Sequence, residues 1–265
     1  MSKLLVKARP GKEIASVTPA SAGWGYVGFA AYRLRPGESV SFEDPAREAC
    51  LVVLTGKARV QAGTIDCGEL GTRQSVFDDK APEAAYVPNN CAISATAVTE
   101  CEIAIAHAPG FGTYPARVIR SESIRRSVRG EGTNQRFVTD ILPADQPADS
   151  LLVVEVITPS SHSSSYPPHK HDTDDLPNES SLEETYYHRL NPPQGYVLQR
   201  VYTDDRSLDE AVAAEDHDVV MVPRGYHPVT VPHGYTSYYL NVMAGEKRNW
   251  VFRNDPAHEW MLKKA

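Results

Sequence analysis

The 265-residue chain is poor in cysteine: Cys50, Cys67, Cys91 and Cys101 all fall in the first half and form no Cys-x-x-Cys pair. That excludes a thiolate metal site and a disulfide framework, and the four read as small buried hydrophobes in a reducing compartment. No apolar run approaches the roughly 20 residues of a membrane span, so no membrane partner is expected. The start, Met1 to Pro10, has neither a signal-like apolar region nor a small-residue cleavage site, which predicts a cytoplasmic protein. Basic charge is also scarce. With a net charge of −7, the chain offers no cationic stripe for nucleic acid. Long runs of helical period are missing too.

What the chain does contain is short strands between turn residues. Residues 26–34, 49–54, 57–62, 85–88, 91–98 and 102–107 are rich in β-branched and aromatic side chains, with Pro-Gly, Thr-Gly and Pro breaks between them. This spacing predicts an antiparallel sandwich or barrel. The hydrophobic content of 41% is enough for a core. Gly and Pro between Ala108 and Pro115 mark a linker, and five arginines between Arg117 and Arg129 read as a solvated connecting segment. Arg73, Asp78 and Asp79 read as an exposed loop, and His107 as a strand-end or surface histidine. In the second half, residues 136–142, 151–158, 196–203, 218–223 and 238–245 repeat the strand pattern. The best helical piece is Ser207 to Ala214, with Ser207 and Glu210 spaced as a capping box. His258 reads as structural or surface.

The chemistry concentrates between Tyr166 and Arg189. His169 and His171 stand two apart, so on a strand both imidazoles project from one face and can grip one cation. Pro167 and Pro168 keep that approach out of a helix. Glu183 and Glu184 follow with a carboxylate, and the turn Val222-Pro-Arg-Gly-Tyr-His227 supplies another imidazole. Two His, one Glu and a further His suit a borderline divalent ion. Between them, the acidic stretch Asp172 to Ser181 reads as a solvated loop at the mouth of the barrel. The first half repeats the order of turns, yet Asn89 and Asn90 stand where Arg224 to His227 would be. If the halves are repeats, the first has lost its metal.

His-x-His with Glu, then Pro-x-Gly with His, resembles the cupin pattern. The resemblance is closer still to one family. The runs 168–172 (PHKHD), 182–189 (LEETYYHR), 199–210 (QRVYTDDRSLDE), 223–229 (PRGYHPV) and 238–245 (YYLNVMAG) resemble the 5-deoxy-glucuronate isomerases of bacterial myo-inositol catabolism. The second half matches strongly and the first loosely. The resemblance implies an all-β bicupin of two antiparallel jelly-roll barrels. A degenerate barrel would span 1–115 and a metal-binding one 116–265. It implies one divalent metal per chain, Zn²⁺ or Mn²⁺, on His169, His171, Glu184 and His227. Glu184 is chosen over Glu183 because Glu-x-Tyr-Tyr matches the sister ketol-isomerases of pectin breakdown, and alternation lets only one of the pair face inward.

The implied reaction is an aldose–ketose isomerisation of a small sugar acid, 5-deoxy-D-glucuronate to 2-deoxy-5-keto-D-gluconate. Such chemistry needs a Lewis acid, a base and a cationic clamp for the substrate carboxylate. Glu183 and His188 are candidate bases, and Tyr186, Tyr187 and Tyr238 candidate proton carriers. Arg200 and Arg189 are candidate clamps, with Gln199 beside them. Two alternatives stand next to this reading. One is an iron or nickel dioxygenase with the same ligand set; the other is a sugar-acid-binding cupin without activity. Exposed strands of a barrel also suggest a homo-oligomer.

Overall fold

The computed structural model describes residues 2–262. The first residue of the expected 1–115 unit and the last three of the 116–265 unit lie outside the described residues.

Two large antiparallel sheets dominate. The six-stranded sheet runs in the order Arg117–Ile119, Glu83–Val87, Arg47–Thr55, Cys101–Pro109, Gly28–Leu34, Glu13–Val17. The seven-stranded sheet runs Leu5–Val6, Val219–Val222, Glu183–Asn191, Thr236–Ala244, Leu152–Thr158, Arg136–Leu142, Arg125–Arg129. Each is closed into a barrel by a four-stranded sheet, built on Ser39–Phe42, Ile93–Ala97, Ala58–Ala62 and Ile65–Leu70 in the first half. In the second half the closing strands are Ser163–Ser164, Val229–Thr230, Tyr196–Tyr202 and Asp209–Glu215. The expected all-β pair of barrels is the architecture observed.

Strands buried on both faces lack the usual polar alternation, and the long strands here read as near-continuous apolar runs for that reason. Leu51, Val53, Val87, Ile103 and Ile105 fill the first barrel. Their neighbours Cys50, Val52, Tyr86, Ala104 and Ala106 face the other way, into a core shared with Tyr187, Met221, Tyr238, Leu240 and Val242 of the second half. A separate core inside the second barrel holds Val138, Val154, Val156, Tyr186, Val220, Tyr239 and Met243. The large sheets therefore pack back to back, and each of their strands serves two cores.

Four glutamates lock this contact. Glu48 accepts hydrogen bonds from Tyr86 Oη and from the backbone N–H groups of Asp149, Ser150 and Leu151, all at 2.6–2.7 Å. Glu102 accepts from Tyr187 Oη at 2.7 Å and Arg189 Nη1 at 2.6 Å, with His217 Nε2 at 3.2 Å. In the opposite direction, Glu155 receives a bidentate Arg73 at 2.8 and 2.7 Å and Tyr238 Oη at 2.9 Å. Glu183 takes the N–H groups of Gly25, Tyr26 and Val27 at 2.7–2.9 Å. Single strands also cross the expected division near residue 115. Leu5–Val6 pairs with Val219–Val220, and Arg117–Ile119 pairs with 84–86.

Several local expectations change. Arg73 is 3% exposed rather than in an open loop, because Glu155 neutralises it inside the interface. Ser207 to Ala214 is not helical: Asp209–Glu215 is a strand along Tyr196–Tyr202. Its burial alternates with period two, Val212 and Ala214 inward, and Asp205 holds the preceding turn by accepting from Ser207 N–H. The stretch 172–181 is a hairpin whose Asp172 and Glu179 are engaged, not solvated. Lys170 Nζ donates to Asp172 at 2.8 Å, and Glu179 accepts from the N–H groups of Asp172 and Thr173. His107 is tied into the first barrel: it accepts from Arg47 Nε at 2.6 Å and stacks on Phe42. Among the described residues no helix is long and apolar enough to cross a membrane.

Removing one partner of a buried pair leaves an uncompensated charge, so Arg73→Met is expected to lower unfolding stability by roughly 3–5 kcal/mol. Urea denaturation measures this, and a loss below about 1 kcal/mol would contradict the role given to the pair. His217 supplies a pH-dependent counterpart. Burial pulls its pKa down, but hydrogen bonds to Asp216 and Glu102 outweigh that and raise it above 6.5. Its contribution is therefore complete below the unfolded value and lost as pH rises through the folded one. The stability gap between wild type and His217→Asn should be wider at pH 6 than at pH 9; an equal or reversed gap speaks against the charged histidine.

Candidate active site

Register carries the site. Residues paired across an antiparallel ladder share a face. One row of the seven-stranded sheet is Leu152, Met243, Glu184 and Val222. The next inward row is Val154, Asn241, Tyr186 and Val220, and the third is Val138, Val156, Tyr239 and His188. These rows face the interior of the second barrel. The intervening residues Glu155, Tyr187, Tyr238 and Arg189 face the first barrel.

Three imidazoles converge on the inward face. His169 and Lys170 form a short strand paired with Arg253–Asn254, His171 follows directly, and Lys170 points the other way, toward Asp172. His227 arrives on its turn because Gly225 has φ +90, where a Cβ would lie 2.4 Å from the Tyr202 carbonyl. One ring nitrogen from each of His169, His171 and His227 lies within 4.8 Å of the others. Glu184 Oε2 sits 3.2 Å from His171 Nε2 and 3.3 Å from His227 Nε2. All four side chains are at most 8% exposed.

The tautomers follow from the backbone. His227 Nδ1 donates to the Gly225 carbonyl at 2.8 Å, and His171 Nδ1 to the Leu182 carbonyl at 3.2 Å. In the neutral rings each Nε2 then presents a lone pair to the interior. Burial keeps His169 well below its ordinary pKa and His227 down to about 4, so both are neutral at pH 7. For His171 burial also opposes the charge, but the Glu184 carboxylate outweighs it and raises the pKa. Among the described residues His227 Nε2 is buried without a hydrogen-bond partner. An orphaned lone pair beside two more imidazoles and a carboxylate is a donor set that fits a divalent ion.

Around this cluster, Tyr186 Oη lies 2.9 Å from Ser165 Oγ, and its ring is 5.8 Å from that of His227. Burial holds the Tyr186 phenol well above its usual pKa. His188 is kept near 4 by burial, and its Nε2 meets Gln199 Oε1 at 3.0 Å. A cavity of about 810 Å³ opens beside His169, with Arg136, Tyr166, Phe252 and Asn254 in its wall.

The KduI/IolB family model matches residues 4–261. The chain belongs to this family. It is 51% identical to a 5-deoxy-glucuronate isomerase of Geobacillus kaustophilus, over 99% of this chain and 96% of that one. It superposes on an IolB-like protein from Salmonella typhimurium with a TM-score of 0.96 and 48% identity, covering 98% and 99% of the two chains. An oxalate decarboxylase of Lactobacillus farciminis, at TM-score 0.66 and 12% identity over 96% and 89%, shares the cupin fold alone. The expected membership in a family of isomerases holds.

Within this KduI/IolB chain, the predicted site residues separate by face. His169, His171, Glu184 and His227 come together, with Tyr186, His188 and Gln199 in the same interior. Glu183 does not join them: as the next residue it faces outward, and three N–H groups occupy its carboxylate. Tyr238 is likewise committed to Glu155, and Tyr187 to Glu102. Neither expected clamp is available. Arg189 is held by Glu102 and Asp216, and Arg200 lies on the exposed face paired with Asp209 at 2.7 Å. Tyr239 and Arg136 were not foreseen. Tyr239 follows from alternation once Tyr238 is placed outward, and Arg136 shares the face of Val138 two residues on.

Added Zn²⁺ or Mn²⁺ should raise the melting temperature of metal-stripped protein, with about 2.7 kcal/mol of stabilisation at a hundredfold excess over Kd. His171→Ala and Glu184→Ala should abolish that shift, whereas Glu183→Ala should keep it. Loss in Glu183→Ala, or retention in Glu184→Ala, would reverse the assignment of the two carboxylates.

Proposed function

We propose that this protein interconverts 5-deoxy-D-glucuronate and 2-deoxy-5-keto-D-gluconate. The observation that carries the reading is the full-length identity of about half to relatives named 5-deoxy-glucuronate isomerase. The geometry supports it through a buried three-histidine, one-glutamate cluster beside a cavity large enough for a six-carbon acid.

The reaction moves one proton between adjacent carbons and one between their oxygens, so it consumes no oxidant. In our reading His169, His171, Glu184 and His227 hold one divalent ion, zinc or manganese by their mixed nitrogen and oxygen donors. When bound, the ion supplies a Lewis acid for the carbonyl and its neighbouring hydroxyl. The chain's own groups serve the substrate oxygens and the wall of the site. Tyr186, neutral because burial holds its pKa up, donates to one substrate oxygen and accepts from the other, with Ser165 as its exchange partner. Neutral His188 donates to Gln199, whose amide reaches the His227 carbonyl at 3.4 Å, and the pair fixes the floor behind the ligand turn. Burial of the cluster excludes bulk water from the reacting atoms. We place the reaction in the cytoplasm.

Proton NMR in D₂O, without oxygen, tests this directly. The account expects deuterium to enter the product at the former aldehyde carbon and activity to vanish on chelation and return with metal. An untouched sugar acid in the metal-loaded protein, or oxygen uptake on its addition, would overturn it in favour of a binding protein or a dioxygenase.

A further inference from the structure

Resting on the isomerase reading above, we propose that Arg136 binds the substrate carboxylate in the cavity that opens beside His169. A six-carbon acid with its carbonyl at one end and its carboxylate at the other needs a cation within the same cavity as the histidine cluster. Arg189 and Arg200 are each tied to protein carboxylates. Arg136 lines the cavity together with His169.

Its guanidinium is under-used. Nη1 donates to the Asn134 carbonyl at 3.2 Å, and among the described residues Arg136 has no other hydrogen bond and no ion pair. Glu131 also lines the cavity. A half-buried guanidinium with open donors is suited to a bidentate carboxylate. The local field favours an anion as well. Arg129 stands directly opposite Arg136 in the hairpin register, a like-charge pair that is unfavourable without a counter-ion. Arg129 itself is committed to Asp140 at 3.2 Å and lies over the Trp250 ring. Burial lowers the Arg136 pKa, with Tyr239 and Tyr186 acting against it and the Arg129 charge with it, and a bound carboxylate would offset the cost of burial. Glycine lets the turn pass close to the guanidinium: a Cβ on Gly130 would fall 2.7 Å from Arg136 Nη1.

The test compares wild type, Arg136→Gln and Arg136→Lys on two substrates. One is 5-deoxy-D-glucuronate, and the other the neutral aldose with CH₂OH in place of its carboxylate. For the acid, Arg136→Gln should raise KM by about 30-fold or more with kcat changed by less than about threefold; Arg136→Lys should fall between. For the neutral aldose, wild type and Arg136→Gln should be equal. Equal losses on both substrates, or an unchanged KM for the acid, would overturn the assignment. Calorimetric titration with D-glucuronate gives a readout that does not depend on turnover. Weakening by about 30-fold or more in Arg136→Gln supports the assignment, and equal affinity refutes it, even if wild type leaves 5-deoxy-D-glucuronate unchanged and the isomerase reading itself fails. Should Arg136→Gln fail to fold, the same comparisons with Arg136→Lys decide, since it keeps the charge and loses the bidentate fork.

Discussion

Strand Glu183–Asn191 is buried on both sides, and its period-two alternation assigns each side chain to one of two environments. Glu184, Tyr186 and His188 belong to the second barrel's interior, while Glu183, Tyr187 and Arg189 belong to the contact between barrels. A one-residue slip in register would exchange the two sets. The glutamate beside the imidazoles would then be replaced by one whose carboxylate is needed by Gly25, Tyr26 and Val27. The chemistry of the site thus depends on a register that the inter-barrel contact itself holds in place.

That contact gives the first barrel a physical role. Its interior is apolar, packed with Leu51, Val53, Val60, Leu70 and Ile105, and its outer face presents small residues such as Ala31, Ala84, Ala104 and Ala106 to the second barrel. Against those alanines lie the larger Tyr187, Tyr238, Met221 and Leu240. Glu48 and Glu102 reach from the first half to donors in the second, and Glu155 and Glu183 reach back. Each carboxylate has several donors, so the burial cost of the charge is met locally. The backs of these strands are tied to the first barrel while the front of Glu183–Asn191 carries Glu184, Tyr186 and His188.

The sequence made the strand class and the imidazole set legible because both rest on short-range patterns. His-x-His places two rings on one face whatever the surroundings, and Gly225 before Tyr226-His227 signals a turn that only glycine completes easily. Adjacent Glu183 and Glu184 could be separated only by analogy, since either satisfies alternation until the register is known. Long-range pairing was not legible. Nothing near Arg73 announces Glu155, 82 residues away, as its partner. Nothing near Arg200 announces that its face is solvent, whereas Arg136 reads as one arginine among many until the hairpin turns it toward His169. Ser207 to Ala214 misled because a capping spacing and alanines favour a helix locally, and pairing with Tyr196–Tyr202 overrides that preference.

The central claim is that one register brings His169, His171, Glu184 and His227 together as the ligand set and excludes Glu183. Anomalous diffraction at the metal edge, from crystals grown with manganese or zinc, tests it most directly. The account predicts a single strong peak in the second barrel within coordination distance of those four side chains. A peak bound by Glu183, one in the first barrel, or none at the histidine cluster would contradict it.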